Sequence, residues 1–230
     1  MKRSEINRIM RSADEFIRSR GFYLPPFAYW THEDWQAKGP EVAEIVENNL
    51  GWDITDFGQG DFYRFGLFLF TIRNGNLKTA KDGKSYAEKL MIVETGQITP
   101  MHFHWSKAED IINRGGGNLA IQLYNSTADE LLDRESTVYV STDGVTRTLL
   151  PGSIVRLSPG ESITLTRGLY HKFWAEEERT LVGEVSSVND DTVDNRFYEQ
   201  IGRFPNIEDD EPPLYLLVGD YPRFYHGKPM

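Results

Sequence analysis

The chain has 230 residues, 39% hydrophobic and 13% aromatic, which is enough to bury a sizeable core as one domain. It has no cysteine, which excludes disulfides, thiolate metal sites and thiol nucleophiles, and no run approaches the ~18 apolar residues of a membrane span. The formal net charge of −10 repels phosphate backbones and argues against nucleic acid as a partner, and the acidic runs Asp190-Asp191 and Glu208-Asp209-Asp210-Glu211 read as solvated loops.

The opening, MKRSEINRIMRSADEF, starts basic but runs into a charged helical pattern rather than an apolar stretch. It is not a secretory signal, and a cytoplasmic location is expected. Residues 4–20 predict an amphipathic helix with Ser4 as its cap and Ile6, Ile9, Met10, Ala13, Phe16 and Ile17 on one face. Arg18 and Arg20 suit its last turn and Gly21 its stop. Leu24-Pro25-Pro26-Phe27 breaks the pattern, and a second helix starts near His32 with Thr31 as cap. Pro40 opens a third, with Val42, Ile45, Val46 and Leu50 as its stripe and Gly51 as its stop.

From about residue 60 the pattern changes to short aromatic and β-branched runs between turn signals. Strands are predicted over Gly66–Ile72, Ser85–Val93, Leu119–Tyr124, Ser136–Ser141, Ser153–Leu157, Ser162–Leu165 and Leu181–Ser186, with turns at Asn74-Gly75 and Asp143-Gly144. Strands at this spacing predict an all-β sandwich or barrel. The organisation is then a helical extension over 1–60, a β-barrel over 61–195 and a tail over 196–230 (Pro- and Tyr-rich from Pro212 to Pro229), all one domain.

Two of the five histidines sit in Met101-His102-Phe103-His104-Trp105. On a strand, alternate side chains share a face, so His102 and His104 can offer two imidazoles to one ion. Glu109 is near enough to add a carboxylate across a turn, and His171 can close the set from another strand. Three imidazoles and a carboxylate suit Mn, Fe, Co, Ni or Zn, and in octahedral geometry leave two positions open.

The spacing from Gly96 through His102, His104 and Glu109 to Gly116 resembles the first cupin motif at each fixed position. The second motif is partly present in Gly160, Gly168 and His171, with Thr166 where the family usually has proline and Ala175 where it usually has asparagine. Cupins are jelly-roll β-barrels, in agreement with the strand pattern. More particular stretches, Ile98–Trp105, Glu109–Asn118, Leu157–Ser162, Gly168–His171 and Gly183–Asp191, resemble the D-lyxose isomerase family. That resemblance implies a metal-dependent aldose–ketose isomerase interconverting D-lyxose and D-xylulose, and often D-mannose and D-fructose. It also implies Mn²⁺ as the usual divalent cofactor and a homodimer, with a small sugar as the other partner.

Isomerisation through an enediol needs a base to move a proton between C1 and C2. Candidates are Glu184, Lys107, Glu88, Lys89 and Asp190. Glu184 is out of place in the apolar stretch Leu181–Val185 unless it faces a polar cavity; the alternative is an exposed strand position. The expected assignment is Glu184 as base with Lys107 assisting, and Asp190 and Lys89 binding substrate. Gly115-Gly116-Gly117 is read as a tight turn at a barrel corner rather than a phosphate loop, since no Lys-Ser/Thr follows. Phe103, Trp105, Tyr170, Phe173 and Trp174 flank the ligands as core, with one or two available to stack on a sugar. Rival readings are a phosphosugar isomerase using Arg114, Arg167 and Lys172, a metal-dependent dioxygenase, and a sugar-binding cupin without turnover.

Overall fold

Short helices precede the sheet strands in the computed structural model, which describes residues 1–76, 83–188 and 190–227. Asn189 of the family-like stretch and the end of the Pro212–Pro229 tail lie outside the described residues. The helices are α1 (Arg3–Ser19), α2 (His32–Gln36) and α3 (Ala43–Glu47), with 3-10 turns at Pro26–Tyr29 and Pro40–Val42. The strands are β1 (Gly51–Thr55), β2 (Leu67–Arg73), β3 (Tyr86–Val93), β4 (Thr99–Phe103), β5 (Glu109–Gly115), β6 (Asn118–Ser126) and β7 (Leu132–Asp133). They continue with β8 (Val138–Thr142), β9 (Val145–Leu149), β10 (Ile154–Leu157), β11 (Ser162–Leu165), β12 (Leu169–Glu176), β13 (Thr180–Ser187) and β14 (Arg196–Phe197), and α4 (Tyr221–Phe224) follows.

Two antiparallel sheets face each other. One runs β1-β2-β3-β13-β5-β11-β8-β9 and the other β10-β6-β12-β4-β14, with β7 beside β6. Inward side chains such as Leu69, Met91, Ile111, Leu123, Phe173 and Val182 fill the space between them. The outer face of β1, β2 and β3 is also buried, because α1 lies on it: Ile6, Met10, Phe16 and Ile17 pack with Trp52, Ile54, Phe68, Phe70 and Leu90. This explains why Leu67-Phe68-Leu69-Phe70 shows no polar alternation: odd residues enter the barrel and even ones meet the helix.

Several local expectations hold, and others shift for identifiable reasons. Thr31 caps α2, its hydroxyl accepting from Asp34 N, and the Asp34 carboxylate in turn accepts from Thr31 N. Gly21, at φ 73°, ends α1 as expected. Ser4 is not the cap of α1. The helix begins at Arg3, and the Asp210 carboxylate from the tail accepts from both Ser4 N (2.9 Å) and Ser4 Oγ (2.7 Å), supplying the first-turn acceptor from outside the helix. Gly51 does not stop the third helix. Asn49 takes the left-handed conformation there (φ 52°), and Gly51 opens β1. The sheets also reach beyond residues 61–195: β1 pairs with β2 (Gly51↔Thr71) and β14 pairs with β4 (Arg196↔Phe103). A short strand between a helix stop and a turn-rich segment carries little periodic signal of its own.

Candidate metal centre and active site

Strands β4 and β12 pair directly at His171↔His102, and β5 carries Glu109 on the inner face with Ile111. The four expected metal residues therefore converge from β4 and the turn that follows it, from β5 and from β12. Among the described residues, His102, His104 and His171 form a buried group whose ring nitrogens lie within 4.8 Å of one another. Glu109 Oε1 is 3.5 Å from His104 Nε2 and 3.3 Å from His171 Nε2. Neighbouring ligands on one octahedral ion, with bonds of about 2.0–2.2 Å, lie about 3 Å apart, so the spacing fits a shared ion.

The ring orientations are fixed from behind. Each Nδ1 faces a backbone carbonyl: His102 to Pro100 O (2.7 Å), His104 to Asp194 O (2.7 Å) and His171 to Leu169 O (3.0 Å). A carbonyl only accepts, so each Nδ1 is the donor and each Nε2 keeps its lone pair for the centre. Burial, then the neighbouring His171 and His104, hold the His102 imidazole well below its ordinary value, so it is neutral, as a ligand must be.

The turn joining β4 to β5 is held by Asp194. Its carboxylate accepts from Ser106 N (2.8 Å) and Lys107 N (3.0 Å), and its carbonyl orients His104. This presents Lys107 to the interior, where Nζ lies 2.6 Å from Glu109 Oε2 and 2.9 Å from Glu184 Oε1. Burial opposes charge on Lys107, but Glu109, Glu184 and Asp191 outweigh it and raise its pKa above the ordinary value. Burial likewise opposes charge on Glu109, yet Lys107 and then His104 hold it well below the carboxylate range.

The ion-pair chain continues from Glu184 to Lys89 (3.4 Å), from Lys89 to Asp191 (3.2 Å), and from Asp191 to Arg203 (3.6 Å). Asp191 is held low because Lys89 and Arg203 overcome the effect of its burial. These groups line one cavity whose remaining wall is mostly apolar, including Leu67, Leu69, Met91, Phe173 and Phe197. Apolar walls with a few convergent polar groups make a small-molecule site.

The sequence profile of the D-lyxose isomerase family matches residues 1–221. A D-lyxose/D-mannose isomerase from Serratia proteamaculans is 49% identical over 228 residues, covering 97% of this chain and 99% of the relative. Another, from Escherichia coli O157:H7, is 48% identical over 227 residues, covering 97% of this chain and all of the relative.

The chain belongs to the D-lyxose isomerase family.

Among solved structures, the ligand-free L-ribose isomerase of Cellulomonas parahominis superposes with a TM-score of 0.59 at 17% identity, covering 90% of this chain and 98% of that one. The L-ribose isomerase of Geodermatophilus obscurus gives 0.59 at 18% with the same coverage. At such identity the likeness is one of fold, and the fold is mainly β and cupin-like.

In this member of the D-lyxose isomerase family, Glu184, Lys107 and Lys89 reach the cavity with the histidines and Glu109. Glu184 shares the inner face of β13 with Val182, as strict alternation requires, and is only 3% exposed. Glu88 and Asp190 do not line the cavity. Glu88 faces the other side of β3 and pairs with Arg73 (2.5 Å). Asp190 closes a surface turn onto Thr192 N (3.1 Å), and it is Asp191 that faces inward. Of the flanking aromatics, Phe173 reaches the cavity, while Phe103, Trp105 and Tyr170 pack together on the far side of β4.

Sequence reasoning did not single out Arg203, Asn195 and Phe197, which close the cavity from the chain beyond β13, nor Thr99 on β4. For the first three no periodic signal exists. For Thr99 the proline beside it was a usable cue, since proline inside a strand marks an edge or a bulge.

Proposed function

We propose that this protein interconverts an aldose and its 2-ketose, D-lyxose with D-xylulose and D-mannose with D-fructose, by moving one proton between C2 and C1. The observation that carries this reading is Glu184: a carboxylate buried in an apolar strand, 2.9 Å from Lys107 Nζ and in the same cavity as the three histidines. His102, His104, His171 and Glu109 would hold a divalent ion, for which Mn²⁺ is our choice. When bound, such an ion supplies positive charge that polarises the sugar carbonyl and offsets charge developing on O1 and O2.

The protein's own part is proton transfer and restraint. Glu184 takes the proton from C2 of the open-chain aldose, leaving a cis-enediolate charged at O1. The O2 hydroxyl proton then passes to O1 and Glu184 returns its own proton to C1, giving the ketose. Lys107 stays protonated throughout and acts as a fixed charge between Glu109 and Glu184. The apolar wall excludes bulk water, so the proton carried by Glu184 is returned to the same sugar rather than lost.

A phosphosugar fits poorly. The cations lining the cavity, Lys89, Lys107 and Arg203, each already face a carboxylate, and Arg114, Arg167 and Lys172 do not line it. The family likeness further supports a homodimer working in the cytoplasm. No described helix is long and apolar enough to cross a membrane.

The test is an assay of chelator-treated protein offered D-lyxose and D-mannose with and without added Mn²⁺. Ketose formed only with the ion is the expected result. Stoichiometric ion binding with no ketose from either sugar overturns the reading, and oxygen uptake on the same protein would move it to the dioxygenase class.

A further inference from the structure

Among the described residues, three buried side-chain polar atoms have no hydrogen-bond partner in the protein: Thr99 Oγ1, Thr142 Oγ1 and Arg203 Nη1. Two of these residues, Thr99 and Arg203, line the one cavity that holds the histidines. Leaving a buried polar group unpaired forfeits its hydration, and native folds keep few such groups. We infer that Thr99 Oγ1 and Arg203 Nη1 form a recognition pair for the hydroxyls of an open-chain polyol, positioning the part of the chain that is not reacting.

Both groups are built into place. In a regular antiparallel register the pair His171↔His102 would be followed by Phe173↔Pro100. Instead Phe173 faces Thr99, so β4 carries one extra residue at Pro100–Met101. Alternation from His102 alone would turn Thr99 to the opposite face; the bulge returns it to the histidine face, where it is 2% exposed and lines the cavity. A strand without the bulge would offer the cavity Pro100, which has no side-chain polar atom.

Arg203 is pinned from the other side. Its Nη2 donates to Asp53 Oδ2 at 2.6 Å and lies 3.6 Å from Asp191 Oδ2. Two carboxylates already balance the guanidinium, so Nη1 calls for a neutral acceptor rather than an anion. Thr99 Oγ1 can donate and accept. A hydroxylated carbon chain satisfies both groups, whereas an apolar ligand does not.

This inference rests on the isomerase reading of the cavity, and its test separates the two. Thr99→Val keeps the side-chain shape and removes the hydroxyl. We expect kcat/KM for D-lyxose to fall about tenfold, mainly through KM, with Mn²⁺ affinity and melting temperature unchanged. Thr99→Ser should recover to within about twofold. Arg203→Lys, which keeps a cation beside Asp53 and Asp191 but removes Nη1, should lose about thirtyfold. An unchanged KM in Thr99→Val for both sugars, or a loss that serine does not rescue, overturns the inference. If the wild-type protein converts neither sugar, calorimetric titration with D-arabinitol and D-mannitol decides. Binding weakened at least tenfold in Thr99→Val upholds the recognition pair, and equal binding or none refutes it.

Discussion

Glu184 is the residue on which the proposed chemistry turns, and glutamine is its nearest neutral shape. Glu184→Gln keeps the hydrogen bond to Lys107 but cannot take a proton from carbon, so turnover should drop by about 10²–10⁴-fold. The Mn²⁺ dissociation constant should stay within about threefold, because Glu184 is not among the four residues proposed to hold the ion; activity near wild type would remove it as the base. His102 gives a second, pH-dependent prediction. Its folded pKa lies well below the ordinary value because burial and the two neighbouring imidazoles disfavour its cation. Above about pH 6.5 neither folded nor unfolded chain protonates it; below that the unfolded chain does and the folded chain does not. The ion-free protein should therefore lose stability as pH falls below about 6.5, by up to about 1.4 kcal/mol per pH unit. Urea midpoints across that range measure the slope, and His102→Gln should flatten it. At this scale the convergence of His102, His104, Glu109, His171 and Glu184 on one cavity was legible, because alternation and spacing locate them. Asp191 was not separable from Asp190, since in a turn nothing in the sequence says which of two adjacent acids points inward.

Some strands were legible where one face differs from the other or a turn signal bounds them, as in β8, where Val138 and Val140 are buried between polar neighbours, while β5, β7 and β9 were not assigned. β1 and β14 were missed because they are short and take their pairing from partners distant in sequence. The glycine run was read as a corner, and the structure gives it a steric reason. A Cβ on Gly116 would meet Arg179 O at 2.2 Å, and one on Gly117 would meet Glu176 O at 2.0 Å. Both obstacles are backbone carbonyls at the connection of β12 to β13, so neither can swing aside. Gly117→Ala should cost about 3 kcal/mol or more, read as a lower thermal midpoint with wild-type ion affinity in whatever fraction folds. A loss under about 1 kcal/mol would mean that this corner is looser than its contacts indicate.

Across the molecule, the helix that precedes the barrel is joined to the tail that follows it through one buried arginine. Arg3 donates from Nη1 and Nη2 to Asp220, both at 2.9 Å, and from Nε to Asp209 at 2.9 Å, while only 2% exposed. Removing one partner of such a pair strands the other without water, so Asp220→Ala should destabilise by about 3–5 kcal/mol. A midpoint in urea close to wild type would show that Arg3 finds a substitute partner. None of this was readable in advance: the acidic run at 208–211 looked like a solvated surface feature, and only tertiary contact turned three of its carboxylates, Asp209, Asp210 and Glu211, toward α1.

The same arginine has a consequence for the newborn chain. Its partners lie 206 and 217 residues downstream. While the ribosome is still adding the barrel, α1 already exists as a peptide with one greasy side, yet the carboxylates that neutralise Arg3 and cap Ser4 have not been made. The helix can settle on the outer face of β1–β3 only as a half-anchored lid, and final locking waits for the release of the last tenth of the chain. A chain released before Asp209 should leave a barrel whose apolar outer wall is available to chaperones.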